Sequence, residues 1–150
     1  MNDTKVIDVT VTMTAASSYV SGDYVGADAV ALVFAPASTV QNYSGTVLDA
    51  MLIDYALQSV ACELWLFDTI PTPPSDSAAW TITDAMARTC IGVIPFSTYY
   101  ASAANSVSFG DVTGLGFRTT NNTLYGCIVT RGAPTYASGD LTVRLVIWQD

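Results

Sequence analysis

The chain contains no histidine. Serine and cysteine hydrolases of the ordinary kind keep a base, usually histidine, beside the nucleophile, so Cys62, Cys90, Cys127 and every serine lose that role. A zinc site asks for Cys and His at close spacing, and these three cysteines stand 28 and 37 residues apart. Charge is also scarce. Asp, Glu, Lys and Arg make up 12% of the residues, about half the roughly 25% of ordinary soluble domains. The five basic residues, Lys5, Arg88, Arg118, Arg131 and Arg144, are scattered singly. Nucleic-acid binding needs clustered Lys and Arg to neutralise phosphates, so that class of partner is not expected. No run of 18 apolar residues occurs, and no membrane-spanning helix is expected. The opening MNDTKVID is acidic and lacks an apolar stretch, which predicts no secretory signal and synthesis and assembly in a cytoplasm. Neither phosphate-cradling glycine motif is present, and no cofactor is expected.

What is present is strand and turn vocabulary. Hydrophobic residues form 51% of the 150, and the polar remainder falls on Thr, Ser, Asn and Tyr more than on charges. Thirteen acids against five bases give a net charge of -8. A surface so thinly charged is expected to be covered in use, by other copies or by a larger body. The length fits one domain, residues 1–150, with a single core.

Ile7, Val9, Val11 and Met13 alternate with Asp8, Thr10, Thr12 and Thr14, the period of a strand with one wet face. Further strands are expected at 24–26, 29–34, 45–53, 63–67 and 91–96. Residues 68–74 carry three prolines and must be a surface excursion. Residues 75–88 are the only helical material, with Ser75 as N-cap and one or two short turns expected. Residues 97–108 read as a long loop. Residues 109–117, punctuated by Gly110, Gly114 and Gly116, suggest bends at a sheet edge. With no alternating helices to feed a parallel sheet, the fold class is all-β, an antiparallel β-sandwich or jelly-roll-like barrel.

Two carboxylates would suffice for glycoside hydrolysis, and Glu63, Asp68, Asp49, Asp54 and Asp84 are candidates, but each stands where solvated or turn-capping acids are normal. Calcium could draw on Asp23, Asp28 or Asp111, although the spaced EF-hand loop is missing. The reading is therefore of a protein that is not an enzyme. The odd count of three cysteines in apolar surroundings is read as buried free thiols. The sequons at Asn2, Asn42 and Asn121 carry little weight without a secretory signal. Trp65 and Tyr125 fall inside strands and read as packing, whereas Trp80, Tyr99, Tyr100 and Tyr136 fall in expected loops. Those four are the candidate interface residues, since exposed loop aromatics suit a protein contact or a sugar platform.

Residues 124–150 read as two strands around a turn. Leu141, Val143, Leu145 and Ile147 alternate against Thr142, Arg144, Val146 and Trp148, and Leu124, Cys127, Ile128 and Val129 supply the expected partner strand. As a string, LYGxxVTRGxPTYxSxDLTVRLxIxQD resembles the C-terminal part of head-decoration (cement) proteins of tailed bacteriophages. Leu64-Trp65-Leu66-Phe67-Asp68 with Pro71 is similar to that family's L-x-L-F-D-x-x-P strand and turn. The resemblance implies a small β-fold on the outer capsid surface of a virion, trimeric, bracing major capsid subunits, with no catalytic residues to transfer. The segment before Val9 and the loops of Trp80, Tyr99 and Tyr100 would then carry contacts. Two other readings share the composition: a tail or fibre-base virion protein, and a carbohydrate-binding jelly-roll module stacking sugars on Trp80, Tyr99 or Tyr100.

Overall fold

A computed structural model describes residues 3–38 and 43–150. The first half of the chain forms β1 (Asp3–Thr10), β2 (Ser17–Ser18), β3 (Tyr24–Val25), β4 (Leu32–Phe34), β5 (Ser44–Asp54) and β6 (Cys62–Phe67). The second half forms the helix α1 (Asp84–Ala87), then β7 (Cys90–Phe96), β8 (Tyr99–Ala101), β9 (Ser106–Phe109), β10 (Leu115–Arg118), β11 (Leu124–Thr130), β12 (Thr135–Tyr136) and β13 (Leu141–Gln149). All pairings between these strands are antiparallel.

Two sheets make the sandwich. Sheet one runs β1-β13-β5-β9-β8, with β10 taking the first half of the β5 edge and β9 the second. Sheet two runs β3-β11-β6-β7, with β4 beside β3 along the same edge of β11. The strands form where β-branched and large apolar residues recur every second position, because that period puts them all on one face. In β13 the four residues Leu141, Val143, Leu145 and Ile147 are fully buried. They meet Leu64, Leu66, Ile94 and Ile128 of sheet two in one continuous core. Burial of each such side chain is worth about 1.5–3 kcal/mol. Gly110 lies against sheet two, and a Cβ there would collide with the Ile94 side chain.

Several expectations change. β11 and β13 are not partners: β13 lies between β1 and β5, and β11 lies between β3/β4 and β6, in the other sheet. Local reading pairs strands that follow one another. Here the 131–140 connection, with β12 paired to β2, crosses from one sheet to the other. The first strand begins and ends earlier than its alternation suggests, at Asp3–Thr10, while Val11 and Met13 remain buried beyond its end. Helix is confined to one four-residue turn, capped by Thr83, whose hydroxyl accepts from the Met86 amide; Ser75 is not its cap. Residues 97–108 are not one long loop, because β8 and β9 form a hairpin there, turned by Ser102 and Asn105. Their small polar residues hid the pattern.

The excursion over residues 68–89 folds back over the outer face of sheet two. Its backbone pairs with β3 and the preceding turn: the Tyr24 amide donates to Ala78 O, Ser77 donates to Tyr24 O, and Trp80 donates to Gly22 O. This gives a second, small core of Tyr24, Ala31, Phe67, Tyr125 and Cys127, with Trp65, Trp80 and Cys90 at its rim.

Candidate functional site

The acids weighed for catalysis are committed to structure. Glu63 receives two hydrogen bonds from Arg131, at 3.0 and 2.8 Å, and a third from Trp65 Nε1. The Arg131 guanidinium holds the Glu63 carboxyl below its usual range. Asp54 is fully buried and accepts from the Ala56 and Ser59 amides and from the Tyr136 hydroxyl. Asp49 accepts from the amide of Ala50, and Asp68 from the Thr69 hydroxyl. Asp84 stands in the first turn of α1.

Of the calcium candidates, Asp23 is buried and accepts from the Val20 amide, while Asp28 accepts from the Asp76 amide. Asp111 is exposed. Among the described residues no three or more His, Cys, Asp or Glu side chains are grouped to hold a metal ion. All three cysteines are free thiols; Cys62 and Cys127 are buried and Cys90 is half-buried. Burial pushes the thiols of Cys62 and Cys127 up to about 12, so both stay protonated near neutral pH.

The four candidate aromatics separate. Trp80 lies against Trp65, Tyr24 and Phe67, with ring centroids 5.5, 5.9 and 6.5 Å away, and so clamps the excursion to sheet two. Tyr99 is half-buried and donates its hydroxyl to Val60 O at 2.7 Å. Tyr136, expected on a loop surface, is instead 2% exposed in β12, packed against Tyr19 and donating to Asp54. Only Tyr100 is open, at 65% exposure, with its ring beside Phe109. The four do not form one surface. The segment before Val9 is the edge strand β1, with exposed residues alternating along it.

What the structure does assemble is the outward face of sheet one. Directly opposed residues in an antiparallel pair project to the same side, and the register places them in rows. Thr4, Trp148 and Thr46 form one row, and Val6, Val146 and Asp49 the next. Asp8, Arg144, Met51 and Phe109 follow, and then Thr10, Thr142, Ile53, Val107 and Tyr100. A bulge opposite Val146 and Ile147 adds Leu48 to the exposed side. Val6, Phe109 and Trp148 are 58, 55 and 40% exposed. No described segment covers this face. Its charges are the Asp8–Arg144 pair, bidentate at 2.7 and 2.9 Å, Asp49, and Arg118, which opposes Ser44 where β10 pairs with β5.

Sequence reasoning reached this surface only at Tyr100 and the segment before Val9. The available signal was that Val146 and Trp148 stand at the wet positions of β13, and that Val6 occupies the wet phase of β1. Asp28, Asp68, Asp76 and Asp84 belong to or flank the excursion on the other side, where Asp28 accepts from the Asp76 amide. A shallow cleft of about 160 Å³ lies between β1 and the 27–33 segment, lined by Val9, Thr10, Val30 and Leu32 among others. It brings together no titratable groups. Among the described residues no helix is long and apolar enough to cross a membrane. No protein-family profile, curated protein or solved structure matches the chain.

Proposed function

We propose that this chain is a virion structural protein of a tailed bacteriophage. In this reading it is a head-decoration protein, without catalytic activity, that attaches as a trimer to the outer capsid surface and braces neighbouring major capsid subunits. The observation that carries the reading is where the resembling stretches fall in the fold. The stretch from Leu64 and the stretch from Tyr125 are far apart in sequence, yet β6 and β11 pair them residue for residue from Leu64↔Ile128 to Phe67↔Tyr125. Arg131 of the V-T-R-G stretch then binds Glu63 at the start of β6. The remaining stretch, β13, lies inside sheet one between β1 and β5. The resemblance thus falls on two paired interior strands of sheet two and on an interior strand of sheet one.

Decoration needs no reactive group. A protein that binds only the assembled shell adds stability to it by linkage, and many identical weak contacts multiply through avidity. The acidic side around the excursion suits basic patches on a shell and is repelled by packaged nucleic acid. Neither a membrane nor nucleic acid is a partner in this reading. The test is the copy number of the chain in gradient-purified particles, measured by quantitative mass spectrometry against the major capsid protein. A ratio near one, or a simple fraction of it, is expected. A few copies per particle would assign the protein to the tail or fibre base, and absence from particles would overturn the virion reading.

A further inference from the structure

We infer that the outward face of sheet one is an interface between copies of this chain. The inference shares with the proposed function only the premise that copies assemble, and it does not depend on what the assembly attaches to.

Three observations point to a second copy as the occupant. The first is charge. The chain carries a net charge of -8, so most ways of bringing two copies together are repulsive. On this face Arg144 and Asp8 neutralise each other within the sheet, leaving Asp49 and Arg118 as single charges of opposite sign. A separate group of acids, Asp28, Asp68, Asp76 and Asp84, lies around the excursion. A basic partner would find its complement there, whereas a neutral apolar face is matched by its own copy.

The second is composition and shape. Val6, Met51, Ile53, Phe109, Val146 and Trp148 present β-branched, long and aromatic side chains in cross-strand rows, the arrangement that the inner faces of a sandwich use to interdigitate across about 10 Å. Sheet one thus carries large apolar side chains on both sides, and one side is already filled by the core. The third is area. At about 16 Å² of plane per strand residue, the strands of sheet one offer roughly 600 Å², close to the about 800 Å² per partner of a standard interface. The apolar side chains are interspersed there with Thr4, Thr10, Thr46 and the Asp8–Arg144 pair, the mixed composition of an ordinary interface between subunits. Two sheets stacked face to face and three sheets lining a three-fold axis both close this surface, and mass distinguishes them.

The test is sedimentation equilibrium of the full chain beside a Val6→Asp/Phe109→Asp double variant, with far-UV circular dichroism and thermal unfolding to verify the fold. Both side chains are more than half exposed in the single chain, so the variant keeps its core; if it fails to fold, Leu48→Asp in the bulge replaces it. The expected result is a mass of two or three 15.8 kDa chains for the wild type and of one chain for the folded variant, a two- to three-fold fall. A wild type that stays monomeric up to its solubility limit overturns the inference. So does an oligomer whose mass the charged variants leave unchanged, which would place the interface elsewhere. Absence of the protein from virions would remove the proposed function and leave this result standing.

Discussion

Tyr136 shows how far one residue's role depends on what folds around it. Its neighbours Pro134, Ser138 and Gly139 mark a loop, yet its ring is buried beside Tyr19 and its hydroxyl reaches the buried carboxylate of Asp54. Tyr136→Ala should therefore destabilise the protein by about 3–5 kcal/mol, read as a fall in the urea midpoint. Tyr136→Phe should cost only about 0.5–1.5 kcal/mol, because Asp54 keeps the Ala56 and Ser59 amides. A fully stable Tyr136→Ala protein would show that the ring is not core. Glu63 gives a pH-dependent counterpart. Its folded-state value is lowered, first by the hydrogen bonds from Arg131. Its contribution is therefore present above the ordinary glutamate value of 4.5 and lost as pH falls through the lowered folded value. The pair is partly exposed, 42% for Arg131 and 25% for Glu63, and is worth at most about 1 kcal/mol. Wild type should exceed Glu63→Gln by that margin at neutral pH, and the gap should close as pH drops below 4.5.

At the scale of elements, the 68–89 excursion is held by backbone bonds to 22–24 and 29, by the bonds of Asp76 with Tyr19, Gly26 and Asp28, and by one ring. Trp80 touches three aromatic rings, each contact worth about 0.5–1.5 kcal/mol beyond burial. Its Nε1 is buried without an acceptor among the described residues. Trp80→Ala should loosen the excursion while both sheets stay intact, seen as faster amide exchange and proteolysis within 68–89 alone. Trp80→Phe should be near neutral, since it keeps a ring and removes an unpaired donor. Equal exchange in the Ala variant would show that the hydrogen bonds suffice. The three prolines made this segment legible as an excursion, but its destination was not. That depends on Trp65 and Tyr24, which reach the same face from β6 and β3, distant in sequence. The β8–β9 hairpin was hidden for a related reason: its Ser, Ala and Asn residues gain strand character from pairing with β5, not from their own propensity.

For the whole molecule, both sheets share one core, and a single cavity in it should be felt throughout. Leu145 is fully buried at the centre of β13, with β1 and β5 on either side. Leu145→Ala should cost about 2–5 kcal/mol, with the tryptophan fluorescence and far-UV transitions shifting together; separate transitions would show that the sheets unfold independently. The fold class, most strands and the buried face of β13 were legible in the sequence because period-two alternation is a local property of the chain. The lack of histidine, the scattered bases and the net charge of -8 are likewise fixed by composition. Which strands pair was decided only in three dimensions, because adjacency in a sheet is set by how two apolar faces close over each other. For the same reason β11 and β13, neighbours in sequence, lie in different sheets. Tertiary structure alone likewise turned Trp80 and Tyr136 inward and gathered Val6, Val146, Phe109 and Trp148 onto one uncovered face. A surface exists only once register has placed residues from distant strands side by side.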